Sequence, residues 1–266
     1  MQAASMEAAD ILNGLNTQVL GRTIFAYSSI GSTNDEAKRL AAEGAPEGTL
    51  VIAEEQTAGR GRLGRRWLAP PGTALLFSLV LRPSLPLEQT AQLSMAVALG
   101  AAEAIEAETG LPVQLKWPND LLIRGRKAGG LLTETSVTGD RLEWAVIGLG
   151  LNVNLDFTAS GLEALADQAT SLSLERGHPV DRVRLLQRLL LHTEAHLALI
   201  YQGHSLHHAI HDRLAYLGEP VVVEAPVGRL VGTVLGVDAQ GRLCLRQADG
   251  SVTEVAVGDV VHVRRG

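Results

Sequence analysis

The stretch VQLKWPNDLLIRGRKAGGLLTETSVTGDRLEWAVIG, residues 113–148, decides the fold class. It holds four runs with strand character, at 113–116, 121–124, 130–135 and 141–148. Between them stand the turn signals Pro118-Asn119-Asp120, Gly125 and Gly139-Asp140. Strands that follow one another this closely argue for an antiparallel or mixed sheet flanked by helices. The expected class is therefore α+β, not a doubly wound parallel fold.

The chain on either side agrees. Upstream, residues 33–42 read as a helix, with Thr33 and Glu36 spaced as a capping box. Residues 50–54 read as a short strand and 74–81 as an apolar run of strand length between Pro71-Gly72 and Pro83. The Ala-rich segment 88–109 is long enough for a buried helix, and residues 1–20 allow one short helix. Downstream, 181–201 is an amphipathic helix. From 218 the texture changes to short Val- and Gly-rich runs: VVVEA, LVGTVLGV, LCLRQ, VTEVAVG and VVHVR. Asp238-Ala239-Gln240-Gly241 and Ala248-Asp249-Gly250 fall between runs as hairpin turns. A small β-barrel of about 45 residues is expected there, with the boundary near Leu217. The expected division is an extension at 1–20, a main domain at 21–216 and the barrel at 217–266.

Composition narrows the function. The chain has 266 residues, 46% hydrophobic and 20% charged, enough for one sizeable core and a small second domain. The apolar run TALLFSLVL at 73–81 falls short of the roughly 18 residues needed to span a bilayer, so no membrane segment is expected. The N-terminus has neither a basic flank nor an apolar core of signal-peptide type, which points to the cytoplasm. Cys244 is the single cysteine, so no intramolecular disulfide or multi-cysteine metal site exists. A net charge of −6 disfavours a global nucleic-acid surface, and no room remains before residue 20 for a helix-turn-helix. Of 23 basic residues only Lys38, Lys116 and Lys127 are lysines, a hint that a compact ammonium is wanted at those places.

Two motifs mislead. GRGRLG at 59–64 matches the dinucleotide fingerprint, but Pro70-Pro71 soon after forbids the helix that fingerprint needs. All eight histidines lie after residue 177, and His192 and His196 have metal-compatible spacing. Their setting, H-T-E-A-H, reads better as a solvated helix face. No G-x-S-x-G and no local cysteine–histidine pair supplies a covalent nucleophile.

Chemistry concentrates elsewhere. In Gly59-Arg60-Gly61-Arg62-Leu63-Gly64-Arg65-Arg66, glycines alternate with cations. Such a loop is expected to be mobile when empty and ordered by a polyanion; the plain alternative is a solvated basic loop or an RNA contact. Trp67 either stacks on a purine or fills core. Lys116-Trp117-Pro118-Asn119-Asp120 is either a functional cluster or a common turn. Lys127 either snorkels or points into a pocket. Thr33 is explained as a helix cap.

Taken together, STND at 32–35, QTAGRGRLGRRW at 56–67, KWPNDLL at 116–122, RKAGGLL at 126–132 and GLGLNVN at 148–154 closely resemble the catalytic domain of biotin–protein ligases (biotin–[acetyl-CoA-carboxylase] ligases). The resemblance covers residues 25 to 205 or so, and the terminal barrel is similar to that family's C-terminal SH3-like domain. The chain looks like the short form without a DNA-binding domain. The resemblance implies a class II synthetase-like mixed sheet and an ATP- and Mg²⁺-dependent ligase. It would make biotinyl-5′-AMP and pass biotin to a lysine of a biotin carboxyl carrier protein, the acetyl-CoA carboxylase subunit. It implies biotin contacts at Ser32, Thr33, Asn34, Gln56, Arg60, Gly61, Arg62, Lys127, Gly129, Gly130 and Leu131. It implies nucleotide contacts at Arg62, Trp67, Lys116, Asn119, Lys127 and Asn152. Lys127, Arg62 and Asp120 are the implied catalytic residues, with no dedicated metal cage, no DNA partner and a homodimer as in relatives. Leu63 departs from a commonly basic position, and Gly129-Gly130 carries one extra glycine. A lipoate ligase and a non-catalytic RNA-binding module are the alternatives.

Overall fold

The computed structural model of the chain describes residues 6–158, 161–226 and 228–262. In chain order the elements are α1 (Ala8–Leu12), β1 (Ile24–Tyr27), α2 (Thr33–Ala42), β2 (Leu50–Ala53), β3 (Ala74–Leu81), α3 (Ala91–Thr109), β4 (Gln114–Lys116), β5 (Asp120–Ile123), β6 (Arg126–Thr138), β7 (Arg141–Asn152), α4 (Leu172–Arg176), α5 (Arg182–Tyr201), α6 (His207–His211), β8 (Pro220–Ala225), β9 (Gly228–Val237), β10 (Leu243–Arg246), β11 (Val252–Val255) and β12 (Asp259–His262). The first seven strands form one sheet in the order β1-β2-β3-β7-β6-β5-β4. Only the β1–β2 pair is parallel, so the sheet is mixed and the class is α+β.

Strand periodicity explains the layers. Leu50, Ile52, Leu75, Phe77, Leu79, Leu81, Ile147, Leu149 and Leu151 share one face and are buried with residues of α3 and α5. Val51, Val80 and Val146 point the other way and meet Ala37, Leu40 and Ala41 of α2. β3 is buried at every position, which is why its run shows no polar alternation. The small residues of α3 let α5 approach closely: a Cβ on Gly100 would fall 2.7 Å from the Thr193 backbone nitrogen. No helix among the described residues is long and apolar enough to cross a membrane.

The segment before β1 is bound down. Met6, Ile11, Leu15 and Leu20 join the main core. The Glu194 carboxylate accepts the backbone amides of Gln18, Val19 and Leu20 at 2.6, 2.7 and 2.8 Å. Residues 1–5 and 263–266, which belong to the expected extension and to the last barrel run, lie outside the described residues.

The C-terminal strands form an antiparallel sheet ordered β11-β10-β9-β8-β12. Both expected turns join β9 to β10 and β10 to β11. Among the described residues no β11–β12 pairing closes the sheet. Its Val and Leu residues merge with the core of the larger sheet. Trp117 Nε1, buried, donates to Gly241 O at 3.0 Å across the join.

Several expectations shift. β6 and β7 begin earlier or run later than expected, because Arg126-Lys127 is already paired and Leu149–Asn152 continues the ladder. Ser32, not Thr33, caps α2; its Oγ accepts from Asp35 N at 3.5 Å. The helix at 88–109 starts only at Ala91, after a short 3₁₀ turn. β1, α4 and α6 were not foreseen.

Candidate functional site

The site begins with an alternation. In Gly148-Leu149-Gly150-Leu151-Asn152 the leucines enter the core, so the glycines pave the opposite face of β7. Across the ladder, Ser78 lies opposite Gly148, Leu132 opposite Gly148, and Gly130 opposite Gly150. This floor has almost no side chains, and neighbours descend onto it. A Cβ on Gly148 would land on the Asn34 amide. One on Gly150 would fall 2.5 Å from Trp67 Cε2.

One wall is the N-terminus of α2. The parallel pairing of β1 and β2 extends as a bridge between Ile30 and Gln56, which sets Gln56 beside the first turn of the helix. Gln56 Oε1 accepts Thr33 N at 2.7 Å and Thr33 Oγ1 at 3.0 Å, satisfying an amide left unpaired by helix geometry. Asn34 is buried. Its Oδ1 accepts from Ser78 Oγ at 2.6 Å, and its Nδ2 donates to Leu132 O and Glu134 Oε2.

The opposite wall carries the charges. A bulge between Leu121 and Leu122 turns Lys127 back over Gly130. Lys127 Nζ meets Asp120 Oδ1 at 2.5 Å and stands 5.7 Å from the Trp67 ring centroid. Trp67 Nε1 is buried with no hydrogen-bond partner, so the site holds a donor without an acceptor. Asn119 is fastened to β6: its Nδ2 donates to Leu131 O at 2.7 Å, and Leu131 N donates to its backbone carbonyl. Asn152 lies deeper, with Nδ2 donating to Thr170 O, while Thr170 N donates to Lys127 O. Lys116 stands across the β4–β5 ladder from Asp120 and lines an adjoining cleft of about 260 Å³ with Arg62, Asn119, Asp120, Leu131 and Met95.

The arginine segment is a small closed hairpin. Arg60 and Arg66 form a bridge, Gly61 N donates to Arg65 O at 2.7 Å, and Trp67 N donates to Gly59 O at 3.0 Å. Gly59 is required by that approach, since a Cβ would fall 2.6 Å from Trp67 O. Carboxylates from elsewhere in the chain pair with Arg60, Arg62 and Arg65. Arg60 Nη2 meets Asp35 at 2.6 Å and Glu134 at 3.1 Å. Arg62 Nη1 meets Asp259 at 2.5 Å and donates to Asn119 Oδ1 at 3.3 Å. At the tip, Leu63 is 74% exposed and adopts a left-handed φ of 55°. Burial disfavours the Glu134 charge, but hydrogen bonds from Lys38 and Asn34 and the charges of Arg60 and Lys38 outweigh it. The carboxyl is held below its ordinary value.

The structure thus gathers Ser32, Thr33, Asn34 and Gln56 on one wall. Arg62, Trp67, Asn119, Asp120 and Lys127 stand on the other, above Gly130. Leu131 points into the core and Gly129 packs against Leu121 and Leu151. Ser78, Glu134 and Asp259 escaped the sequence reading. Ser78 had a signal, as the lone polar residue inside ALLFSLVL; Asp259 had none.

Comparison with known proteins identifies the family. Residues 27–152 match the Biotin/lipoate A/B protein ligase family and 216–263 the Biotin protein ligase C terminal domain. The chain is 37% identical over 254 residues to the bifunctional ligase/repressor BirA of Bacillus subtilis, covering 92% of this chain and 76% of that protein. It is 36% identical to the biotin–[acetyl-CoA-carboxylase] ligase of Mycobacterium tuberculosis, covering 94% of each. The Aquifex aeolicus biotin protein ligase, solved in complex with biotin and ATP, superposes with a TM-score of 0.76 at 30% identity, covering 90% of this chain and 98% of that one. The chain belongs to the biotin protein ligase family.

Proposed function

We propose that this chain acts in the cytoplasm as an ATP-dependent biotin ligase, forming biotinyl-5′-AMP and transferring biotin to a lysine of a biotin carboxyl carrier protein. The observation that carries this reading is Lys127 paired with Asp120 over Gly130, beside an indole N–H that lacks an acceptor. In the first step a biotin carboxylate oxygen attacks the α-phosphorus of ATP, and pyrophosphate leaves with the electrons of the broken P–O bond. Two anions must touch, so the Lys127 ammonium and the Arg62 guanidinium offset their repulsion. In the second step the neutral carrier amine attacks the acyl carbon, AMP leaves with the C–O electrons, and the surplus amine proton passes to solvent. Asp120, at the border of the adjoining cleft, accepts a hydrogen bond from the incoming amine.

In this reading Ser32, Thr33, Asn34 and Gln56 form the ureido end of the biotin pocket, and Arg60, Gly61, Gly130 and the backbone of Gly129 and Leu131 complete its rim and floor. Trp67, Lys116, Asn119 and Asn152 serve the nucleotide. Mg²⁺ would screen the phosphate charge, held by the phosphates and water. Residues 21–216 carry the chemistry and 217–266 the SH3-like unit. The far half of β6 pairs with β7 alone, leaving an edge for a second copy.

The test is incubation with ATP, Mg²⁺, biotin and a carrier domain, read by the intact mass of the carrier and by pyrophosphate release. One biotin on one lysine is expected. Equal transfer of lipoate, or no pyrophosphate release, would overturn the reading.

A further inference from the structure

Arg62 is held from an unexpected direction. Its Nη1 donates to Asp259 Oδ1 at 2.5 Å and its Nη2 to Gly258 O at 3.2 Å. Arg65 Nη2 takes the other Asp259 oxygen at 3.1 Å. The position of Asp259 is fixed by the sheet, because it opens β12 opposite Glu224 of β8. Gly258 is packed tightly, since a Cβ there would fall 2.7 Å from Val223 Cγ1. The Arg62 and Asp259 side chains are only 23% and 18% exposed, so water screens this pair less than an open surface pair.

The same Arg62 Nη1 also reaches Asn119 Oδ1. The guanidinium is therefore not withdrawn from the site but aimed at it. One carboxylate shared by two arginines keeps a net positive charge at the hairpin tip while relieving their mutual repulsion.

Resting on the function proposed above, we infer that the C-terminal sheet supplies a positioning residue. Asp259 fixes Arg62 beside Asn119 and so sets how firmly the acyl-adenylate is retained. Asp259 touches no reacting atom; it acts through Arg62. The small sheet thereby completes the active site.

The experiment is a double-mutant cycle on the full chain, with Arg62→Ala, Asp259→Ala, the double variant and Asp259→Glu. Biotinyl-adenylate dissociation and the KM and kcat of its formation are measured. Asp259→Ala should raise the dissociation rate roughly tenfold and raise the KM for ATP more than it lowers kcat. The double variant should match Arg62→Ala within about twofold, and Asp259→Glu should recover part of the loss. Additive effects would show that Asp259 acts independently of Arg62, and tighter retention in Asp259→Ala would show that it competes with the ligand; either overturns the inference. Limited trypsin cleavage after Arg62 and Arg65 gives a readout without turnover. Cleavage should be several-fold faster in Asp259→Ala at unchanged melting temperature, and unchanged cleavage would overturn the hold. If the wild-type chain makes no adenylate, the proposed function fails while the cleavage result still decides whether Asp259 holds the hairpin.

Discussion

The two faces of the β6–β7 hairpin come from one stretch of sequence and do opposite work. Ile147, Leu149 and Leu151 fill the core under α3 and α5; Gly148 and Gly150 leave the other face bare. A strand sends successive residues to opposite sides, so alternating the largest and smallest apolar residues separates stability from binding within five positions. Glycine weakens a strand, and here the leucines between offset that cost.

The largest expected effect comes from the charge placed over the bare face. Lys127→Ala should slow adenylate formation by about 10³-fold, the upper range for removing one preorganised charge donor, while biotin affinity falls far less. Pre-steady-state pyrophosphate release and biotin titration separate the two; equal losses would mean uniform binding. Next, Gly150→Ala should displace Trp67 and lower kcat/KM for ATP by about 10²-fold with little change in melting temperature. A large thermal loss at that position would erase the distinction between the faces. Leu149→Ala should do the reverse, destabilising by about 2–5 kcal/mol and lowering the melting temperature by roughly 5–15 °C, with the rate per folded molecule within about twofold.

The smallest effect belongs to the rim, where Glu134 holds Arg60 and Lys38. Its carboxyl is depressed in the fold despite burial, so its contribution is present above the unfolded value of about 4.3. It is lost as pH falls through the lower folded value. The wild type should therefore melt a few degrees above Glu134→Gln at pH 7, and the gap should close toward pH 3. Thermal melts across that range would show it, and a gap that widens on acidification would contradict the assignment.

The strands within residues 113–148 were legible because turn residues punctuate apolar runs at the right lengths. So were the turns of the C-terminal sheet. β1 was not, since IFAY is a four-residue, mostly half-exposed edge strand whose pairing depends on β2. The Ser32 cap was missed by one residue because Ser and Thr are both N-cap formers and Thr33 also has Glu36 three residues on. The hairpin of arginines was legible as cationic and glycine-rich, but its anchoring was not. Asp35, Glu134 and Asp259 reach it only through tertiary folding, and no local pattern announces such partners.

Arg62 and Asp259 stand 197 positions apart. During synthesis, residues up to 152 can emerge with the glycine floor, the ammonium and the indole while β12 is still unmade. The clamp on the hairpin tip arrives only with β12. A polypeptide not yet extended through β12 thus lacks the Asp259 hold on Arg62. In the function proposed above, custody of the reactive mixed anhydride would follow the synthesis of β12.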